Sequence, residues 1–193
     1  MKIIKHISKE QYICEVLKDD LSSDKILELE KHRELIENPN FESQEQNKIR
    51  LALIRSNGAF GNIFEKGDFD SIFLAEINEV EFLNLYWCPK GTELEDEIDI
   101  ISEGDRKLTS ILSNLGNPRL TEIQKVKDYL DNFFVDRGEI KPENNRLFLF
   151  EHQNKLCIQD GNHRAGGIIK RLYIGKEHSF LINVFVVRGM KLT

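Results

Sequence analysis

The chain has 193 residues, 40% of them hydrophobic and 31% charged, with a net charge of −6. That composition excludes wholesale disorder and is enough for a buried core without disulfides or metals. No apolar run nears the ~20 residues a membrane span needs, and the N-terminus is too polar for a secretory signal, so no membrane role and a cytoplasmic location are expected.

The charge is uneven. Residues 1–116 carry 14 Lys/Arg against 24 Asp/Glu, a balance of −10, and residues 117–193 carry 13 against 9, a balance of +4. An acidic part at 1–116 and a mildly basic part at 117–193 suggest two units with different work. The first suits a protein partner and the second suits phosphates, without the charge density of a DNA-binding domain. Cys14, Cys88 and Cys157 have no CxxC or zinc spacing and read as reduced thiols.

Residues 1–12 read as a short strand or an extended arm. A helix is expected over 22–36, behind Ser22, Ser23 and Asp24 as cap residues, and a second over 43–55. The glycine-containing stretch 59–70 reads as a loop. Residues 71–77 read as a strand, and 80–87 as a short helix or more strand. Between 91 and 105 lie seven Asp/Glu. Their spacing fits no calcium loop, so a solvated acidic face is expected, and no metal ligand set is assigned.

A helix follows over 105–115, ended by Gly116. Asn117-Pro118-Arg119 breaks the chain. Thr121 and Gln124 match a capping box before a helix whose face holds Ile123, Val126, Leu130, Phe133 and Phe134, closed by Gly138. Residues 147–150 and 156–159 are apolar runs joined by EHQNK, which reads as a hairpin. A helix is expected from about 164 to 173, and 180–187 is apolar on both alternating faces, as in a buried strand.

The most informative stretch is 156–172, LCIQDGNHRAGGIIKRL. Asp160, Gly161, Asn162, His163 and Arg164 lie where a strand gives way to a helix. A glycine admits close backbone approach or a positive φ, and a helix start offers unpaired N–H groups and a positive dipole end. With His163 and Arg164 beside it, the junction suits a phosphate. Asp160 suits a proton acceptor, a metal contact or a local turn bond. His163 suits phosphate contact or proton transfer, Asn162 an amide contact, and Arg164 a bidentate phosphate clasp or an acidic neighbour.

The DGNHRA motif resembles the ParB/sulfiredoxin superfamily. So does the order of elements over 117–187: Asn-Pro-Arg, helix, hairpin, motif, helix, strand. The resemblance implies an α/β (α+β) fold, with a ParB/sulfiredoxin-like mixed-sheet domain at 117–193 behind a helix-rich region at 1–116. It implies a nucleotide, ATP or CTP, with its phosphates on Gly161, Asn162, His163 and Arg164, and Arg119 as a further contact. Asp160 and His163 would be catalytic, with Mg²⁺ expected from phosphate chemistry in general. Sulfiredoxin's cysteine is replaced by Asn162, which speaks against sulfinic acid reduction. The DNA-reading helix-turn-helix of partitioning proteins has no counterpart in the roughly 20 residues after the motif helix. The implied function is an enzyme that hydrolyses or transfers phosphate. The alternatives are a DNA-binding or DNA-nicking module, and a non-catalytic nucleotide sensor that meets a protein partner. Gly161-Asn162-x-Arg164 also resembles part of the Fic AMP-transferase loop, but that family's catalytic histidine would fall at Leu156.

Overall fold

The computed structural model describes residues 1–22, 27–56, 69–87, 95–134, 146–175 and 180–189. Its centre is a six-stranded mixed sheet, in keeping with the expected α/β (α+β) class. The strands are β1 (Lys2–His6), β2 (Ser71–Asn78), β3 (Tyr86–Trp87), β4 (Arg146–His152), β5 (Lys155–Asp160) and β6 (Leu181–Arg188). Their order across the sheet is β1-β2-β6-β4-β5-β3. The pairs β6–β4 and β5–β3 are parallel and the rest antiparallel.

Helices lie on both faces. One face is covered by α1 (Lys9–Ser22), α3 (Arg33–Glu37) and α4 (Gln44–Ser56), with α2 (Leu27–Glu30) alongside. The other carries α5 (Glu79–Leu83), α6 (Glu95–Ile101), α7 (Leu108–Asn114), α9 (Gln124–Phe133) and α10 (Asn162–Tyr173), and the one-turn α8 (Pro118–Thr121) precedes α9. Strand alternation divides the core accordingly. In β6, Ile182, Val184 and Val186 enter the core under α10, and Phe185 and Val187 enter the core under α1.

The boundary expected at 116/117 does not divide this sheet. β2, from the acidic part, pairs with β6 from Ser71↔Arg188 to Asn78↔Leu181, and β3 pairs with β5. The hydrophobic faces of the C-terminal strands are therefore completed by N-terminal elements.

The 71–77 strand and the hairpin are present as read. Gln153 and Asn154, both at positive φ (50° and 62°), make the hairpin's two-residue turn. Both positive values suit the primed turns whose twist matches paired strands. Residues 80–87 contain both readings, as α5 followed by β3.

Two further expectations are corrected. The helix placed over 22–36 is instead α1 before it and the short α2 and α3 within it, with 23–26 outside the described residues. Helix α1 starts early because Ser8 and Gln11 form a reciprocal cap: the Ser8 N–H donates to Gln11 Oε1 (2.9 Å) and the Gln11 N–H to Ser8 Oγ (3.2 Å). Its apolar residues Tyr12, Ile13, Val16, Leu17 and Leu21 then fall on one face. Thr121 does not cap α9. Asn117 is the N-cap of α8, its Oδ1 accepting from the Arg119 N–H, with Pro118 at the first helical position that favours it, and this turn takes Thr121 as its last residue. Ile123 stands at the N-cap of α9 without a side-chain cap bond. The 59–70 loop falls mostly outside the described residues, as do Gly138 and Cys88. Cys14 and Cys157 are buried free thiols.

Candidate functional site

Asp160 ends β5, Gly161 is the N-cap of α10, and Asn162 is the first helical residue. Gly161 is in the left-handed region, φ 91° and ψ 18°. It also lies close to β4: a Cβ there would come 2.7 Å from Leu147 Cδ2 and 3.1 Å from the Arg146 carbonyl oxygen. Both reasons for a glycine, positive φ and close approach, apply at this position. The Gly161 N–H donates to Asp160 Oδ1 at 2.7 Å, so Asp160 does make a local turn bond.

A bulge sets where Asp160 faces. Phe148 pairs with Asp160 and Leu149 with Ile158, which leaves Gln159 as the extra residue. Opposed residues share a face, and a bulge re-aims the side chain beyond it. Leu149 and Ile158 belong to the core under α10, and Phe148 belongs to the core under α1. Asp160 is thereby turned to the α1 side. Tyr12 of α1, 1% exposed, feels it there: burial first, and then the charge of Asp160, push the phenol above its ordinary pKa.

Two further residues of α1 meet the motif region. Glu15 pairs with Arg146 at the start of β4 and also takes Lys18 Nζ at 3.1 Å. Asp19 is clasped by Arg164, with Nη1 to Oδ1 at 2.8 Å and Nη2 to Oδ2 at 2.5 Å. Tyr12, Glu15 and Asp19 are spaced to project from one side of a helix. One stripe of α1 thus faces Asp160, Arg146 and Arg164 across the end of the sheet.

The expected site residues separate into groups. Asp160, Gly161, Asn162, His163 and Arg164 form one junction, His163 exposed and Asn162 partly buried. The Asn162 Oδ1 is buried and has no hydrogen-bond partner among the described residues. Arg119 is not brought there. It is exposed and lies three residues beyond Gly116, which packs against the Tyr173 ring at the other end of α10. Arg164 takes the acidic-neighbour role, through an ion pair with Asp19. Among the described residues no group of three or more His, Cys, Asp or Glu is placed to hold a metal. In the acidic 91–105 stretch, Asp99 is engaged by Arg106, which holds its carboxyl below the usual range.

No known protein family, curated protein or solved structure matches this chain.

Sequence reasoning missed Tyr12, Glu15, Asp19 and Arg146. The Ser8–Gln11 cap followed by residues at helical spacing was the signal that would have revealed α1. The pairing of α1 with a motif more than 140 residues later has no local signature.

The Asp19–Arg164 pair is mostly shielded, with side chains 15% and 25% exposed. Asp19→Ala should cost about 2–3 kcal/mol, because it strands a partly buried guanidinium. Urea denaturation of the two single variants and the double variant should show a coupling of about 1 kcal/mol or more. Additive losses would mean that the pair is not formed in solution.

Proposed function

We propose that the chain binds a nucleoside triphosphate, ATP or CTP, at the start of α10 and hydrolyses it or transfers its phosphate. The observation that supports this most is the strand–glycine–helix junction at Gly161. A glycine N-cap supplies no side-chain acceptor to the first turn of the twelve-residue α10. The positive end of such a helix favours an anion. The resemblance of DGNHR to the ParB/sulfiredoxin signature points the same way. The buried, unpartnered Asn162 Oδ1 adds an acceptor suited to a sugar hydroxyl.

In this reading His163, exposed at the second helical position, contacts the phosphates. Asp160 accepts the proton of the attacking water or hydroxyl. In its alternative role Asp160 would be the carboxylate that holds a Mg²⁺ arriving with the phosphates, since such an ion needs only one or two carboxylates. Arg164 orients α10 against α1 through Asp19 and becomes a phosphate ligand only if it leaves that carboxylate.

The test is thermal stabilisation by ATP, CTP, GTP and UTP with Mg²⁺, on wild type and His163→Ala. Arg164→Ala is the wrong probe, since it also breaks the ion pair with α1. A ligand at 100 times its Kd should add about 2.7 kcal/mol, or roughly 5–11 °C in a chain of this size. The shift should fall sharply in His163→Ala, and phosphate release should then be seen with the stabilising nucleotide. No shift with any of the four overturns the reading.

A further inference from the structure

A cleft of about 340 Å³ opens between α1 and the sheet, with Arg146 in its lining. We propose that it is a second ligand site, for a small phosphate monoester with an apolar or aromatic body. The proposal does not depend on nucleotide binding at α10.

Charge is the first argument. The cleft is lined by Lys5, Lys18 and Arg146 against a single carboxylate, Glu15. Glu15 is already engaged by both Lys18 and Arg146. Lys5 has no acidic partner among the described residues. The lining thus keeps two net positive charges, matching a phosphate monoester, which carries about −1.5 to −2 at neutral pH. Arg146 has five N–H donors and Lys18 three, so their bonds to Glu15 leave capacity for an anion. Gln11 and Asn183 add neutral polar groups.

The second argument is how Lys5 comes to be there. In β1, Ile3 pairs with Ala75 and Lys5 with Leu74, so Ile4 is an extra residue. Ala75 faces the α10 core and Leu74 the α1 side. Without the bulge, Ile3 and Lys5 would share a face; with it, Lys5 turns to the α1 side. The bulge at Gln159 does the same for Asp160. Two bulges therefore each deliver a charged side chain to the same face of the sheet. A regular sheet would have placed neither there.

The third argument is the apolar part. Leu74 and Phe185 form the floor, and Pro39 and Phe41 the outer wall. That wall is fixed from behind by Arg50, which is 1% exposed. Its guanidinium donates to the carbonyls of Leu35 and Asn40, each at 3.1 Å, and lies 5.3 Å from the Phe41 ring centroid. A preformed cleft of this volume, mixing an apolar floor with a few convergent polar groups, has the make-up of a small-molecule site. Bare inorganic phosphate would leave the floor and wall uncovered.

The experiment titrates phenyl phosphate, inorganic phosphate and phenol into the whole chain, followed by calorimetry and by backbone amide shifts. Phenyl phosphate should bind more tightly than inorganic phosphate, and phenol should not bind measurably. Lys5→Glu, at an exposed edge-strand position, should weaken phenyl phosphate at least tenfold, and so should Lys18→Ala by severalfold. Phe41→Ala should remove the advantage of phenyl phosphate over inorganic phosphate. The amide shifts that phenyl phosphate induces around Gln11 and Lys18 should be unchanged in His163→Ala, which separates this cleft from the α10 junction. Absence of phenyl phosphate binding, or binding that ignores both lysine variants, overturns the proposal. So does binding that is lost in His163→Ala.

Discussion

Gly161→Ala should be strongly destabilising for the change of a single methyl. Two costs combine. An L-residue in the left-handed region costs about 1–2 kcal/mol, and Gly161 sits at φ 91°. The new methyl would also come 2.7 Å from Leu147 Cδ2 and 3.1 Å from the Arg146 carbonyl oxygen. Leu147 is fully buried, and the carbonyl belongs to a strand paired on both sides, so neither gives way readily. Overpacking of this kind adds about 1–3 kcal/mol. The sum, about 2–5 kcal/mol, should lower the melting temperature by roughly 4–20 °C in a chain of this size. Nucleotide binding should weaken more than stability alone explains, because the first turn of α10 is displaced. Calorimetry and titration on the same sample check both. A loss below about 1 kcal/mol would mean that the junction is not held as described.

Phe148→Ala should be comparably severe for another reason. Phe148 is fully buried and stacks on Phe185, with ring centroids 5.2 Å apart and planes 12° from parallel. The Tyr12 ring meets it edge-on at 5.7 Å and meets Phe185 edge-on at 6.2 Å. Truncating a buried phenylalanine costs about 3–5 kcal/mol, including the cavity left behind. Urea denaturation should show a lower midpoint with an unchanged slope. Val80→Ser, 69% exposed on α5, is the control and should stay within about 0.5 kcal/mol of wild type. Phe148 also stands opposite Asp160, so the variant should disturb the carboxylate that faces Tyr12.

How much of this was legible in the sequence depended on distance along the chain. The hairpin, the 71–77 strand, the final buried strand and the glycine at the motif follow from local patterns of period, turn chemistry and φ. Their outcomes agree with the structure because each rests on residues within one element. Helix α1 was missed although Ser8 and Gln11 announce it, because the polar residues Lys18, Asp19 and Asp20 mask its apolar stripe. The sheet crosses the division at 116 for a physical reason. Net charge reports on solvent-facing residues, and strand pairing is decided by buried ones such as Phe73 and Val186, which are opposed across β2 and β6. The two bulges were not legible, since an extra residue in a strand shows only against its partner. They decide where Lys5 and Asp160 face, so the part of the site that matters most chemically was the part least accessible to sequence reasoning.

The order of the strands bears on how the chain is made. β6 is the sixth strand in the chain, yet it lies inside the sheet, between β2 and β4. Until it is synthesised, β2 can zip to β1 and β4 to β5, giving two antiparallel pieces with no strand between them. Each would present an open edge, and Phe148 would lack the ring it stacks on. Such half-sheets are prone to pair with other chains. The joining contacts, Ser71 with Arg188 for example, span most of the sequence, which slows their formation. Nascent chains halted before residue 180 should therefore be soluble only while a chaperone holds them, and release of the last strand should be the step that commits the protein to its fold.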